Sequence, residues 1–251
     1  MRVLMTGAGG TIGSGIRPLL RDRFEFRAVD VKPIDDCSDS HVADITDLAQ
    51  VRPLMDGVDA VMHMAIASGR DFRKRRDEFR EAELDVNVKG TYNVLEAARR
   101  AGVTKVVIAS SVTATFGYPS GRYVTAGDPP CVNSLYAATK YFAEVLGEMY
   151  SRMHGMSVIC WRIGLPTDTT DVDVMHRFNG RHERVMLVSF TDLANGFALA
   201  AEADGVPFGV FPLLSDNPEA QMDVTHPRFV LGYQPVHRFT DGRVETLRDW
   251  P

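Results

Sequence analysis

A glycine-rich segment near the start, "MRVLMTGAGGTIGSGI", limits the possible fold more than any other part of the sequence. A short apolar strand leads directly into Gly7, Gly10 and Gly13, and a helical pattern follows. Glycines at this spacing let the backbone turn tightly and bring its N–H groups against a pyrophosphate at a helix N-terminus. The segment therefore predicts a dinucleotide-binding turn, because it lies in the strand–turn–helix context that such a turn requires.

An acidic residue, Asp30, closes the second predicted strand, about 20 residues after the glycines, where dinucleotide-binding folds place a ribose-binding carboxylate. A carboxylate at this position accepts hydrogen bonds from the adenosine ribose and repels a 2′-phosphate. We therefore predict NAD rather than NADP as the cofactor. Lys32, two residues further on, is the feature that favours NADP.

Short β-rich runs alternate with helical patterns through most of the chain, which predicts a doubly wound parallel sheet with helices on both faces, a Rossmann-type α/β fold. We expect residues 1–165 to form the NAD-binding domain and residues 166–251 a small substrate-binding cap. Within the cap, about 185–215 is expected to return to the sheet as a helix and a strand. The strands predicted in the first domain are 2–5, 26–29, 60–63, 105–109 and 158–161.

Composition excludes several classes of protein. The 251 residues carry a formal net charge of -5, whereas binding to nucleic acid usually requires a basic face. The three cysteines are far apart and lack the spacing of a metal site, so we expect free thiols in a reducing cytoplasm. No apolar run approaches the roughly 20 residues of a membrane span, and no export signal is recognisable.

Two further positions have both a cofactor and a structural interpretation. Asp44 and Ile45 follow a short strand, where the carboxylate could meet the adenine amino group; alternatively, Asp44 or Thr46 could cap the helix that follows. His63 ends a strand at the carboxyl edge of the sheet, where open α/β sheets bind ligands. A lone histidine there is more often structural, and we expect it to shape the cofactor groove.

The segment "SLYAATKYFAEVLGEMY" is an amphipathic helical pattern in which Tyr136 and Lys140 lie four residues apart. Residues at this spacing share one face of a helix. The pair could therefore act in acid–base chemistry, or the two residues could be half-exposed side chains that are spaced so by chance.

Seven motifs in register favour the catalytic interpretation. They are "TGAGGTIG", "VD" at Asp30, "ADI" at Asp44, "HMA" at His63, "NVKGT" at Asn87, "SS" at Ser110 and "YAATK" at Tyr136. They are spread over roughly the first two-thirds of the chain. With these motifs the chain resembles the extended short-chain dehydrogenase/reductase family, of the NAD-dependent epimerase/dehydratase type.

This resemblance implies a role for each matching residue. Tyr136 would be the acid–base group, Lys140 would lower the Tyr136 pKa and hold the nicotinamide ribose, and Ser111 would position the reacting hydroxyl, a part that Thr113 could also take. Asn87 would order the hydrogen bonds behind Lys140. The cofactor would also be held by Thr11, Ile12, Ala65 and Ser110, in addition to the glycines, Asp30, Asp44, Ile45 and His63.

The short carboxyl-terminal part favours a small substrate, since only about 85 residues follow "WRIG". The compact relatives that the chain most resembles are the uronate dehydrogenases, which oxidise the C1 hydroxyl of glucuronate or galacturonate to an aldarolactone. The chain departs from them in having Val112-Thr113 after the serine pair. Arg181 or Arg184 would bind a substrate carboxylate, and Ser68 would also contact the substrate.

Other functions stay open on the sequence alone. A nucleotide-sugar 4-epimerase or dehydratase would use the same residues with tightly bound NAD. A regulator that only senses the cofactor would not need the Tyr136–Lys140 pair. By analogy with the family, we expect a homodimer formed through the helices that carry Asn87 and Tyr136.

Overall fold

A parallel sheet of seven strands forms the centre of the computed structural model, which describes residues 1–67, 76–170, 186–240 and 243–250. The strand order is β3-β2-β1-β4-β5-β6-β9, and every neighbouring pair is parallel. This confirms the predicted Rossmann-type α/β fold. The strands are β1 (Arg2–Thr6), β2 (Glu25–Asp30), β3 (Ser40–Val42), β4 (Ala60–His63), β5 (Lys105–Ser111), β6 (Ser157–Ile163) and β9 (Phe208–Leu213).

The central strands are apolar because helices cover both faces of the sheet. On one face, α1 (Thr11–Leu20) and α6 (Phe190–Glu202) bury their apolar stripes against the strands. On the other face, α4 (Thr91–Ala101) and α5 (Leu135–His154) do the same. The remaining helices are short: α2 (Leu48–Val51), α3 (Arg76–Ala82) and α7 (His226–Leu231), with 3₁₀ turns at Arg52–Met55 and Val112–Thr115.

The helix that carries Asn87 differs from the regular pattern that its sequence predicts. Residues Glu83–Gly90 form a π-helical segment that continues into α4. Insertions of this kind widen a helix locally and are frequent at functional sites. The end of α4 follows the sequence signal, since Gly102 adopts the left-handed conformation, with φ 77°, that terminates the helix.

The chain beyond β6 returns to the main sheet. Strand β9 pairs with β6 at the edge, and α6 packs against α1. Two small sheets lie beside this unit, formed by β7 (Leu165–Thr167) with β8 (Leu187–Ser189) and by β10 (His237–Thr240) with β11 (Arg243–Thr246). Within the described part of the chain, no helix is both long and apolar enough to cross a membrane.

Candidate active site

A cleft of about 1150 Å³ lies at the carboxyl edge of the sheet. In open α/β sheets, ligands bind beside the loops that follow the carboxyl ends of the strands. Its walls come from the β1–α1 turn, the ends of β2, β4, β5 and β6, and the first turns of α5. Most of the residues proposed from the sequence line it: Gly7, Gly10, Thr11, Ile12, Gly13, Asp30, Asp44, Ile45, Ala65, Ser110, Ser111, Tyr136 and Lys140.

The glycine turn is shaped by close backbone contacts. Gly7 has φ +68°, and a Cβ atom there would lie 2.7 Å from the Cα of Ala65. A Cβ at Gly13 would lie 2.5 Å from the carbonyl oxygen of Gly7. Gly10 precedes the first residue of α1, so the helix N-terminus opens into the cleft. Only glycine fits at positions 7 and 13, and the resulting cradle suits a pyrophosphate.

The Asp30 carboxylate is held in a fixed position at the end of β2. Its Oδ2 accepts a hydrogen bond from the backbone N–H of Gly9 at 3.0 Å, and its Oδ1 accepts one from the N–H of Lys32 at 3.2 Å. The carboxylate therefore lies directly beside the glycine turn.

Asp44 and Ile45 line the cleft, and neither Asp44 nor Thr46 caps the helix α2. That cap is Asp47, whose carboxylate accepts from the N–H of Ala49 at 2.9 Å. The alternative proposed from the sequence is wrong because α2 begins later than its pattern suggested. The Asp44 carboxylate instead accepts from the N–H of Thr46 at 2.9 Å. Contact with adenine stays a prediction.

His63 lies behind the cleft rather than in its wall. Its Nδ1 is 2.7 Å from the Thr6 hydroxyl, and its Nε2 is 2.9 Å from the Thr91 hydroxyl. Burial, together with the charge of Lys140, lowers the pKa of His63 to about 3, so the ring is neutral. This histidine links β1, β4 and α4 and supports the groove from below.

Asn87 is buried and joins three parts of the site. Its Oδ1 accepts from the N–H of Ala67 at 2.9 Å, and its Nδ2 donates to the Thr139 hydroxyl at 3.1 Å. Thr139 in turn donates to the carbonyl of Tyr136 at 2.8 Å. The π-helical segment therefore fixes both the loop after β4 and the first turn of α5.

Tyr136 and Lys140 face the cleft from the first two turns of α5, which Ser134 caps. The Lys140 ammonium donates to the carbonyl of Ala109 at 2.6 Å and lies 5.7 Å from the centre of the Tyr136 ring. Burial lowers the pKa of Lys140 to about 8. Burial also raises the pKa of Tyr136, an effect that a hydrogen bond with Ser111 opposes.

The hydroxyl groups of Thr113, Ser111 and Tyr136 form a hydrogen-bonded chain at the end of β5. The Ser111 oxygen accepts from the hydroxyl of Thr113 at 2.9 Å and from its N–H at 3.2 Å. Because Thr113 donates both of these hydrogen bonds to the Ser111 oxygen, the hydroxyl hydrogen of Ser111 is free to point towards Tyr136 or a substrate oxygen. Thr113 thus supports Ser111 from behind, and Val112 is buried in a separate apolar cluster.

One wall of the cleft was not predicted. Gly164, Leu165, Pro166, Thr167 and Asp168 line it directly after β6. Their position after the carboxyl end of a strand is the signal that could have revealed them.

The proposed substrate residues Ser68, Arg181 and Arg184 lie outside the described residues. Among the residues that the structure does describe, no group of three or more His, Cys, Asp or Glu side chains could hold a metal ion.

Comparison with known families agrees with this geometry. The model of the NAD dependent epimerase/dehydratase family matches residues 3–167, which include the glycine turn, Asp30 and the Tyr136–Lys140 pair. The chain belongs to this family. The glycine cradle, the Asp30 carboxylate and the buried Lys140 fit NAD, so the family's cofactor and the residues of this cleft agree.

Relatives within the family act on different sugars. The chain is 31% identical to an NAD-dependent glucose-6-phosphate dehydrogenase of Haloferax volcanii, over 93% of this chain and 92% of the relative. It is 29% identical to an L-arabinose 1-dehydrogenase of the same organism, over 93% and 96%. The crystal structure of a uronate dehydrogenase from Agrobacterium tumefaciens has a TM-score of 0.79 at 26% identity, covering 94% of this chain and 85% of the other.

The position of Asp30 leads to a prediction about cofactor choice in this family member. Replacing Asp30→Ala removes the charge that repels a 2′-phosphate and the acceptor for the ribose hydroxyls. We expect the ratio of NADP affinity to NAD affinity to rise by about tenfold or more, since a hydrogen bond to a charged group contributes roughly 1.5–3 kcal/mol. Binding isotherms for both cofactors measure this ratio.

The matched control is Asp35→Ala, an exposed carboxylate that lies outside the cleft. It should leave both affinities unchanged. An unaltered ratio in Asp30→Ala would show that this carboxylate does not contact the ribose.

Proposed function

We propose that the protein oxidises the C1 hydroxyl of a hexuronate, glucuronate or galacturonate, to an aldarolactone and passes hydride to NAD. The observation that carries the proposal is the convergence of Tyr136, Lys140 and Ser111 in the cleft that also contains the glycine cradle. The similarity to uronate dehydrogenase over nearly the whole chain supports a small sugar acid as substrate.

The described residues suit each step of such an oxidation. Ser111 would hydrogen-bond the reacting hydroxyl while Tyr136, as a phenolate, accepts its proton. Lys140 favours the phenolate because an adjacent positive charge lowers the pKa of a tyrosine. NAD, when bound, supplies the acceptor for the hydride that leaves C1. The proton thus passes to the Tyr136 oxygen and the electron pair leaves with the hydride.

Charge recognition at the other end of the sugar belongs to the same proposal. A hexuronate carboxylate is best held by a bidentate arginine, for which Arg181 and Arg184 remain our candidates, with Ser68 as a further contact. We likewise propose that residues after 165 act as the substrate cap. In support, Leu165–Thr167 and Asp168 line the cleft on the side of Tyr136 and Ser111.

A panel of sugars tests the proposal against its nearest rivals. Purified enzyme with NAD should produce NADH with glucuronate or galacturonate at a kcat/KM at least tenfold above that with glucose 6-phosphate or L-arabinose. Those two sugars are included because similar proteins act on glucose 6-phosphate and L-arabinose. A preference for either would overturn uronate specificity while preserving a sugar dehydrogenase.

The alternative is a nucleotide-sugar 4-epimerase or dehydratase, because the matched family includes both activities. Such an enzyme would retain NAD through purification and form no net NADH. Incubation with UDP-glucose, followed by NMR of the product, distinguishes it from the dehydrogenase.

The catalytic role of Tyr136 gives a separate prediction. Tyr136→Phe removes only the hydroxyl, so kcat should fall by about 10²–10⁴, the usual contribution of acid–base catalysis, while NAD affinity stays within about twofold. Tyr141→Phe is the matched control, since Tyr141 lies on the same helix and outside this cleft. Full activity in Tyr136→Phe would contradict the assignment of Tyr136 as the acid–base group.

We also propose a homodimer through α4 and α5. Tyr92 on α4 and Phe142, Met149 and Met153 on α5 are large apolar side chains that are 37% to 69% exposed. Such surfaces commonly form protein interfaces. Phe142→Glu should therefore convert dimers to monomers in sedimentation velocity, whereas Phe229→Glu, on the 89% exposed Phe229 of α7, should not. A monomeric wild-type protein would refute the proposal.

A cytoplasmic location is the last part of the proposal. Its support is chemical: Cys37, Cys131 and Cys160 are all free thiols, as suits a reducing compartment. Fractionation of cells that express the native gene, followed by immunodetection, tests it, and recovery outside the cytoplasm would contradict it.

A further inference from the structure

A third polar residue, Glu144, continues the line of Tyr136 and Lys140 along α5. Glu144 follows Lys140 by one helical turn, as Lys140 follows Tyr136, so the three side chains share a face. Both charged groups are buried, with only 7% of Lys140 and 3% of Glu144 exposed. A buried carboxylate is costly unless it is paired, so its partners indicate why it lies there.

The Glu144 carboxylate ties together two strand ends beneath the cleft. Its Oε1 accepts from the Ser110 hydroxyl at 2.6 Å and from Arg162 Nε at 2.9 Å, and its Oε2 accepts from Arg162 Nη2 at 2.8 Å. Ser110 and Arg162 are paired neighbours in β5 and β6. Ser110 directly precedes Ser111, and both line the cleft.

This arrangement pairs the carboxylate with the largely buried Arg162 and places Lys140 one helical turn away. Burial is the main cause that lowers the Lys140 pKa to about 8, and the charges of Cys160 and Glu144 oppose it. Burial raises the pKa of the Cys160 thiol well above its ordinary value, so this group is neutral near pH 7. Glu144 is then the carboxylate that offsets both Lys140 and Arg162 at neutral pH.

The other titratable groups that act on this pair do not replace Glu144. His63, from β4, is neutral because burial lowers its pKa to about 3. Tyr136 is a phenol whose pKa burial raises, and Glu83, from the π-helical segment, raises the Tyr136 pKa further. Arg162, from β6, adds positive charge.

We propose that Glu144 is a positioning residue for catalysis: its carboxylate keeps the buried Lys140 protonated beside Tyr136 and holds Ser110 at the end of β5. This inference rests on the proposed dehydrogenase function. It gives the Glu144–Arg162 pair, which touches neither substrate nor cofactor in our assignment, a defined effect on the acid–base group.

The sign of the effect follows from the charges. Without the carboxylate, Lys140 and Arg162 repel each other, so the Lys140 pKa falls below about 8 and less of the lysine is protonated near neutral pH. Tyr136 then loses the neighbouring cation that favours its phenolate, and its pKa rises. Both changes narrow the pH range in which Tyr136 is ionised while Lys140 is charged.

The experiment is a pH profile of kcat/KM for Glu144→Gln. We expect its basic limb to move to lower pH by about one unit, the usual effect of losing one nearby charge, and kcat/KM at pH 7 to fall by about twofold or more. The control is Glu148→Gln, the same change one turn further along α5, where Glu148 pairs with Arg152. Its profile should match the wild type.

A second variant tests the same charges in the opposite direction. Arg162→Met leaves Glu144 with Lys140 as its remaining cation, so the basic limb should move to higher pH, and the double variant Glu144→Gln/Arg162→Met should return towards the wild type. A merely structural role would lower the Tm of each variant and leave the limbs in place. Unmoved limbs in Glu144→Gln and Arg162→Met would overturn the proposal.

NADH binding separates this inference from the proposed function. The Lys140 ammonium lies in the cofactor cleft, so NADH affinity should decline as pH rises through the Lys140 pKa, with no sugar present. In this profile we expect the decline in NADH affinity to move to lower pH in Glu144→Gln and to higher pH in Arg162→Met. An absence of dehydrogenase activity together with these shifts would refute the function and still show that Glu144 keeps Lys140 protonated. Identical profiles in all variants would refute that effect of Glu144.

Discussion

The rest of the site depends on how the buried ammonium group of Lys140 is stabilised. Removing a cation from water costs several kcal/mol unless hydrogen bonds and opposite charges replace the solvent. Here the carbonyl of Ala109 accepts one hydrogen bond at 2.6 Å, and the Glu144 carboxylate lies one helical turn away. These contacts hold a positive charge close to the Tyr136 ring, as the proposed acid–base role of Tyr136 requires.

Parallel topology brings the two halves of the site together. Strands β1 and β2 end in the glycine turn and Asp30, which line the part of the cleft that we assign to the adenosine and pyrophosphate of NAD. Strand β5 ends in Ser110 and Ser111, against which the first turns of α5 are packed. Because all of these strands run in one direction, their carboxyl ends meet at one edge, and residues more than 100 positions apart, such as Gly7 and Tyr136, line the same cleft.

Most of the fold and the cofactor half could be predicted from the sequence because their signals are local. Gly13 is required by a close contact with the backbone of Gly7, and Gly7 by a close contact with Ala65 after the neighbouring strand. The Tyr136–Lys140 spacing follows from the pitch of one helix. The π-helical segment and the Glu144–Arg162 pair could not, because each depends on packing between distant elements. The Asp47 cap was missed because three neighbouring polar residues fit the same pattern.

The most direct test of the account is a crystal structure of the Tyr136→Phe variant with NAD and glucuronate, since this variant should bind both and turn over slowly. We expect the Lys140 ammonium to hydrogen-bond the nicotinamide ribose. The edge of the residue 136 ring should lie where a restored hydroxyl would reach the C1 hydroxyl within about 3 Å. A nicotinamide bound away from this ring, or a sugar whose C1 lies beyond its reach, would contradict the assignment of Tyr136 and Lys140 as the acid–base pair.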